Sequence, residues 1–252
     1  MSTLPSINVQ WLYPNVLDLH GGRGDVMGLR HAAGLLGVDC EIRRLDDAAA
    51  LPDLDWADLL WLGPGEVRCA AALAGRLAAC HPALAEFAAA GGMIVAVGSS
   101  GAILARETAR ADGSSFPGLG LLDAVCRESG AVHGDDLWFA LDDGEEVMGV
   151  QISLLDTLLD VDSPTKPLGR VIYGRGNDGD SRQEGARRGN VVFTNALGPV
   201  CVKNPRFAAR LLAEAARAKG LQLDPALAAS QTEIEDASFA LIRRFIENKR
   251  HA

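Results

Sequence analysis

Apolar positions recur along this chain with two periods. Short blocks in which every position is apolar, Leu59–Leu62 (LLWL) and Met93–Val97 (MIVAV), alternate with longer stretches spaced for one helical face. An unbroken apolar block bounded by turn residues reads as a strand buried on both faces. The pattern predicts strands at 7–12 (INVQWL), 40–44, 59–62 and 93–97. Helices fall between them at 26–36, 68–80 and 82–90, with Gly37 ending the first and Pro82 opening the last. A tight Gly98-Ser99-Ser100-Gly101 turn follows the fourth strand, and a helix starts near Ala102. Strands alternating with helices predict an α/β fold with a mainly parallel central sheet flanked by helices.

The pattern changes after residue 118. Short strand-like pieces at 137–141, 147–152, 170–173 and 190–194 sit among many glycines. They predict a mixed or antiparallel second half. Two helices close the chain, at 205–219 and 233–249. Thr232 and Glu235 have capping-box spacing at the start of the last one. Its Ile234, Leu241, Ile242 and Phe245 fall on one face and predict a helix docked on the sheet. No composition shift marks a boundary, so the expectation is one domain over 1–252, with its core at about 6–219.

Bulk properties narrow the function. The chain has 252 residues, 48% of them hydrophobic, and a formal net charge of −9. That charge, with no basic aromatic face, disfavours nucleic acid. No apolar run of about 18 residues reads as a membrane span, and MSTLPSINVQW does not have the form of a signal peptide. Five cysteines, at 40, 69, 80, 126 and 201, form no CxxC and fit no zinc template. The expectation is a cytoplasmic protein with free thiols, no metal and no cofactor. Asp156, Asp160 and Asp162 read as a solvated acidic face rather than a metal site.

Three stretches carry more. LYPNVLDLHGGRGD starts at Leu12. MIVAVGSSGAILA starts at Met93. LGRVIYGRGNDGDSRQEGARRGNVVFTNALGPVCVKNP starts at Leu168. In order and spacing, over about residues 9–215, they resemble the glutaminase subunits of lipid II isoglutaminyl synthase, within the cobyric-acid-synthase-like class I glutamine amidotransferases. Leu168-Gly169, Gly174-Arg175-Gly176-Asn177-Asp178, Glu184-Gly185, Gly198-Pro199 and Lys203-Asn204-Pro205 match the family's late segment. Gly22 stands for the family's acid in the early loop, and Asp25 for its amide. The resemblance implies a flavodoxin-like class I amidotransferase fold.

The resemblance also implies chemistry that can be checked residue by residue. In the family a cysteine on the strand-to-helix elbow attacks glutamine, and a distant histidine moves the proton. Backbone amides near the elbow and a facing Gly-rich turn stabilise the oxyanion. Here the cysteine position holds Gly98 and the histidine position, before Gly198-Pro199, holds Leu197. The family's Glu-Asn-His segment reads Gly149-Val150-Gln151-Ile152-Ser153. Gly98, Ser99, Ser100 and Gly101, facing Gly63 and Gly65, would form a degenerate pocket. Arg127 loosely matches an arginine that helps hold glutamine.

Alternatives stay open at this point. Ser99, Ser100 or Cys126, whose neighbour Arg127 could activate it, are displaced nucleophiles. Of His20, His31, His81, His133 and His251, His133 is the candidate base. The small-residue turn could hold an anion. Cys126, Cys69 and Cys201 read otherwise as packed core thiols, and the Gly174–Asp178 run as a surface loop. The family glutaminase feeds ammonia to a Mur-ligase-like, ATP-dependent synthetase. The resemblance therefore implies either a heterodimeric partner subunit without glutaminase chemistry, an amidotransferase with a displaced nucleophile, or a small-molecule sensor.

Overall fold

The structure is a computed structural model that describes residues 4–47 and 49–250. His251, among the candidate histidines, lies outside them. In chain order the elements are β1 (Ser6–Leu12), α1 (Gly22–Leu35), β2 (Asp39–Leu45), β3 (Leu59–Leu62), α2 (Val67–Leu77), α3 (His81–Ala89), β4 (Met93–Val97) and α4 (Gly101–Leu104). Then come β5 (Glu107–Ala109), β6 (Ser115–Pro117), β7 (Ala124–Leu141), β8 (Glu146–Leu159), β9 (Gly169–Tyr173), β10 (Gln183–Glu184), β11 (Ala186–Arg188) and β12 (Val191–Thr194). α5 (Val200–Lys203), α6 (Pro205–Arg217) and α7 (Glu233–Arg250) follow.

Two sheets result. In the first the order is β11-β12-β4-β3-β1-β2, parallel throughout except for β11 at the edge. Every residue of β3, β4 and β12 is buried, as expected for central strands covered on both faces. Ile7, Val9, Trp61 and Val95 pack toward α1 and α6, while Leu60, Leu62, Ile94 and Ala96 pack toward α2 and α3. The second sheet has the order β10-β9-β7-β5-β6, with β8 antiparallel on β7. This is the mainly parallel α/β architecture with a mixed second half that the pattern predicts.

Five expectations change. First, α1 starts at Gly22, not residue 26: Gly21 takes the left-handed conformation (φ 87°) and the Asp18 carboxylate accepts from the Arg23 N–H at 2.6 Å. Gly24 and Gly28 are required there, since a Cβ would lie 2.4 Å from Pro199 Cγ and 2.8 Å from the Cys201 carbonyl carbon. Second, residues 124–136 are not loop but the first part of the 18-residue β7, whose pairing with β8 shifts register between Glu128 and His133. Third, β12 belongs to the parallel sheet.

Fourth, the helix after the elbow, α4, is a single turn of four residues. It offers no extended dipole, which removes the physical basis for an anion site at the elbow. Fifth, α7 docks by a different face. Ile246 is fully buried with Trp138 and Met148, and Phe239 and Ile242 pack beside it. Ile234, Leu241 and Phe245 are 81%, 67% and 60% exposed. The Thr232 hydroxyl donates to the Asp236 carboxylate at 2.8 Å, tying the start of α7 together.

Candidate functional site

Open parallel sheets bind ligands beyond the carboxyl ends of their strands. Here that edge is built by the segments after β1, β3, β4 and β12, and a cavity of about 360 Å³ lies there. Leu19 and His20 come from the loop after β1, Pro64 and Gly65 from the turn after β3, and Gly98 and Ser99 from the turn after β4. Asn195 and Leu197 follow β12, and the β7–β8 ribbon closes the far side with Cys126, Glu128, Ile152 and Thr157.

The turn after β4 keeps an elbow shape. Val97 is extended, Gly98 is left-handed at φ 59°, and the chain turns at once into a 3-10 turn and α4. That φ favours glycine. A Cβ at 98 would also meet Leu197 Cδ2 at 2.8 Å and Pro64 Cβ at 3.2 Å. The Leu197 side chain thus fills the space that a side chain at 98 would occupy. Leu197 is 2% exposed and is held by a reciprocal pair of backbone hydrogen bonds with Val150 on β8, at 2.7 and 3.1 Å.

Both serines are tied to the facing turn. Ser99 Oγ donates to the Gly65 carbonyl and accepts from the Gly65 N–H at 3.0 Å. Ser100, fully buried, donates to the Gly63 carbonyl. The Gly65 amide, on the turn the resemblance aligns with the oxyanion side, is therefore already engaged from within. Cys126 faces the cavity beside the Thr157 hydroxyl (3.9 Å), and burial pushes its thiol up to about 11. Arg127 does not join it: successive strand residues point to opposite faces, and Arg127 is exposed outside the cavity. His133 lines a different cleft, away from Ser99 and Ser100.

His20 and Glu128 are among the cavity residues that the sequence pattern did not single out. His20 stands at the mouth in the left-handed conformation, φ 53°. Its place directly after the first strand's loop was the available signal. Glu128 lines the wall and accepts from the Ala111 N–H at 3.1 Å. It lies beyond the part of β7 that the pattern disclosed.

The late sequence motif builds the floor. Glu184, fully buried, accepts from the Thr194 hydroxyl, the Asn195 N–H and Asn195 Nδ2 at 2.8 to 3.0 Å. Burial raises its carboxyl above the ordinary value against these donors. Asn195 Nδ2 also reaches Asn177 Oδ1 at 2.9 Å, and Asn177 Nδ2 donates to the Gly185 carbonyl. Gln151 bonds both the N–H and the carbonyl of Gly176. Glu184-Gly185, Gly176-Asn177 and Thr194-Asn195 are thus one buried polar network joining the two sheets.

Asp25 anchors the other side. It is buried in α1 and accepts from the Cys201 N–H at 2.9 Å, at the start of α5. Burial pushes its carboxyl up to about 7. Cys201 is buried against it, and all five cysteines are unpaired. Among the described residues no cluster of metal-ligating side chains occurs, and no helix is long and apolar enough to cross a membrane.

Comparison with known proteins agrees with this architecture. Lipid II isoglutaminyl synthase (glutamine-hydrolyzing) subunit GatD of Streptococcus pneumoniae is 27% identical over 217 residues, covering 84% of this chain and 82% of that one. GatD of Staphylococcus aureus is 24% identical over 234 residues, covering 93% and 94%. A solved glutamine amidotransferase superposes with TM-score 0.55 at 15% identity, over 82% of this chain and 98% of that one. PurLQS of Thermotoga maritima gives 0.51 at 18% identity, over 82% and 98%. No family model matches the chain. The chain is GatD-like and has the class I glutamine amidotransferase fold.

Proposed function

We propose that this chain is a glutamine-amidotransferase-like subunit that has lost glutamine hydrolysis and serves as a structural partner of a Mur-ligase-like, ATP-dependent amide synthetase. The contact between positions 98 and 197 carries the reading. Hydrolysis needs a nucleophilic atom at the elbow and a base within hydrogen-bond reach of it. Gly98 supplies no such atom, and Leu197 packs into the space one would need. The two residues fit each other sterically.

The displaced nucleophiles are less well supported. Ser99 and Ser100 each give their proton to a backbone carbonyl, which cannot take it up as a base. Burial holds Cys126 in the unreactive thiol form, and Arg127 points away from it. The scaffold around them is complete, and the curated relatives are each named as a subunit of a synthase. A partner supplied by other means, with free ammonia or another amine, fits both facts.

Co-expression with a synthetase encoded beside this chain tests the proposal. A stable complex that forms amide product from ammonium but not from glutamine is the expected result. A chain that stays alone in every pairing, or a complex that releases glutamate from glutamine, contradicts it.

A further inference from the structure

A second cleft, of about 600 Å³, opens on the second sheet. It shares only Val132 with the elbow cavity. Its walls carry two guanidiniums and an imidazole, Arg175, Arg182 and His133, against one carboxylate, Asp135. Asp135 is neutralised: Tyr173 Oη donates to it at 3.0 Å and Lys249 Nζ lies 3.1 Å away. Arg175 is neutralised in turn by Asp156, at 2.7 Å. Arg182 makes no ion pair among the described residues, so its guanidinium is not committed to a carboxylate.

Arg182 is also strained. Its φ is 59°, a conformation that arginine rarely adopts. The loop that precedes it meets the same demand with glycine at 174, 176 and 179. Its backbone carbonyl accepts from the Val171 N–H at 2.9 Å, which any residue could provide. Its side chain makes one long hydrogen bond, 3.5 Å to the Ile172 carbonyl. Local structure therefore gives little return for keeping an arginine here instead of glycine or asparagine.

We propose that this cleft binds the phosphate group of a small polar phosphate monoester, with Arg182 as its principal cation and His133 and Arg175 beside it. A guanidinium fork matches a phosphate's oxygens in geometry as well as charge. The lining is mostly polar, with Val132 its aliphatic side chain, and suits a hydroxylated body better than an apolar one. A carboxylate can fill the same fork with both oxygens, but a phosphate monoester brings a third oxygen and a second negative charge for His133 beside it.

Calorimetric titration of the full chain with glycerol 3-phosphate, and with glycerol as control, tests the assignment. Saturable binding of the phosphate ester and none of glycerol is expected. Arg182→Gly should weaken that binding about tenfold or more while the unliganded melting temperature holds or rises, because the backbone strain is relieved. Arg182→Lys should keep part of the affinity through its charge. Absence of binding to the parent chain, equal affinity in Arg182→Gly, or a lower melting temperature of that unliganded variant overturns the proposal.

Discussion

At the residue scale, the pair Gly98 and Leu197 decides what the elbow can do. A side chain at 98 meets both an unfavourable φ and the Leu197 methyl. Gly98→Ala should therefore destabilise the fold by about 1–3 kcal/mol. In a Leu197→Ala background the clash with Leu197 disappears, leaving the 3.2 Å approach to Pro64 and the unfavourable φ. A double-mutant cycle by urea denaturation should give a coupling energy of about 0.5–2 kcal/mol, and strict additivity would refute the contact. Asp25 supplies a second prediction. Its carboxyl titrates near 7 in the fold and near 3.8 when released, so the folded state binds the extra proton between those values. Its contribution to stability is complete below about pH 4 and is lost as pH rises through 7. Asp25→Asn keeps an acceptor for the Cys201 N–H but cannot ionise. The variant should gain on the parent by on the order of 2–4 kcal/mol between pH 4 and 8, measured by denaturation at each pH.

At the element scale, the parallel strands were legible because burial on both faces leaves no polar positions to confuse the pattern. β3 and β4 begin and end where the apolar blocks do. β7 was not legible over 124–136, because its middle faces solvent through Gly130, Ala131 and Val132 and carries a register shift between Glu128 and His133. The start of α1 was hidden because Gly21–Gly24 read as a loop, and only the fold explains the glycines: a left-handed φ at Gly21 and close approaches to Pro64 at Gly22 and to Pro199 at Gly24. The α7 face was misread because Ile234, Leu241 and Phe245 share a stripe that the docked helix turns to solvent. Exchange measurements separate the two stripes. Ile246→Ala should remove about 2–4 kcal/mol of local protection from the 233–250 amides, while Leu241→Ser should change little.

At the scale of the whole molecule, the two sheets are held as one unit by the Glu184 network, which links β10, β12 and the Asn177 loop. Glu184→Ala would leave the Thr194 hydroxyl and both Asn195 donors without their acceptor. A loss of about 2–4 kcal/mol in global stability is expected from thermal or urea unfolding. The sequence disclosed several members of this network as matched motifs but not their connection, since their hydrogen bonds span 8 to 25 residues. The elbow, the Gly-rich turn and positions 98 and 197 were legible through the family resemblance, and the apolar pattern added the strands that precede them. His20 and Glu128 reach the same cavity from a loop and a solvated strand, where periodicity carries no signal.

The proposal depends most on what happens to glutamine itself. Glutamate release should be measured with the purified chain, alone and in complex with the synthetase that binds it. Release no faster than in a protein-free blank is the expected result under both conditions. Turnover above that blank, abolished by Ser99→Ala, Cys126→Ala or His20→Ala, would mean that the elbow cavity still performs the chemistry that Gly98 and Leu197 argue it has lost.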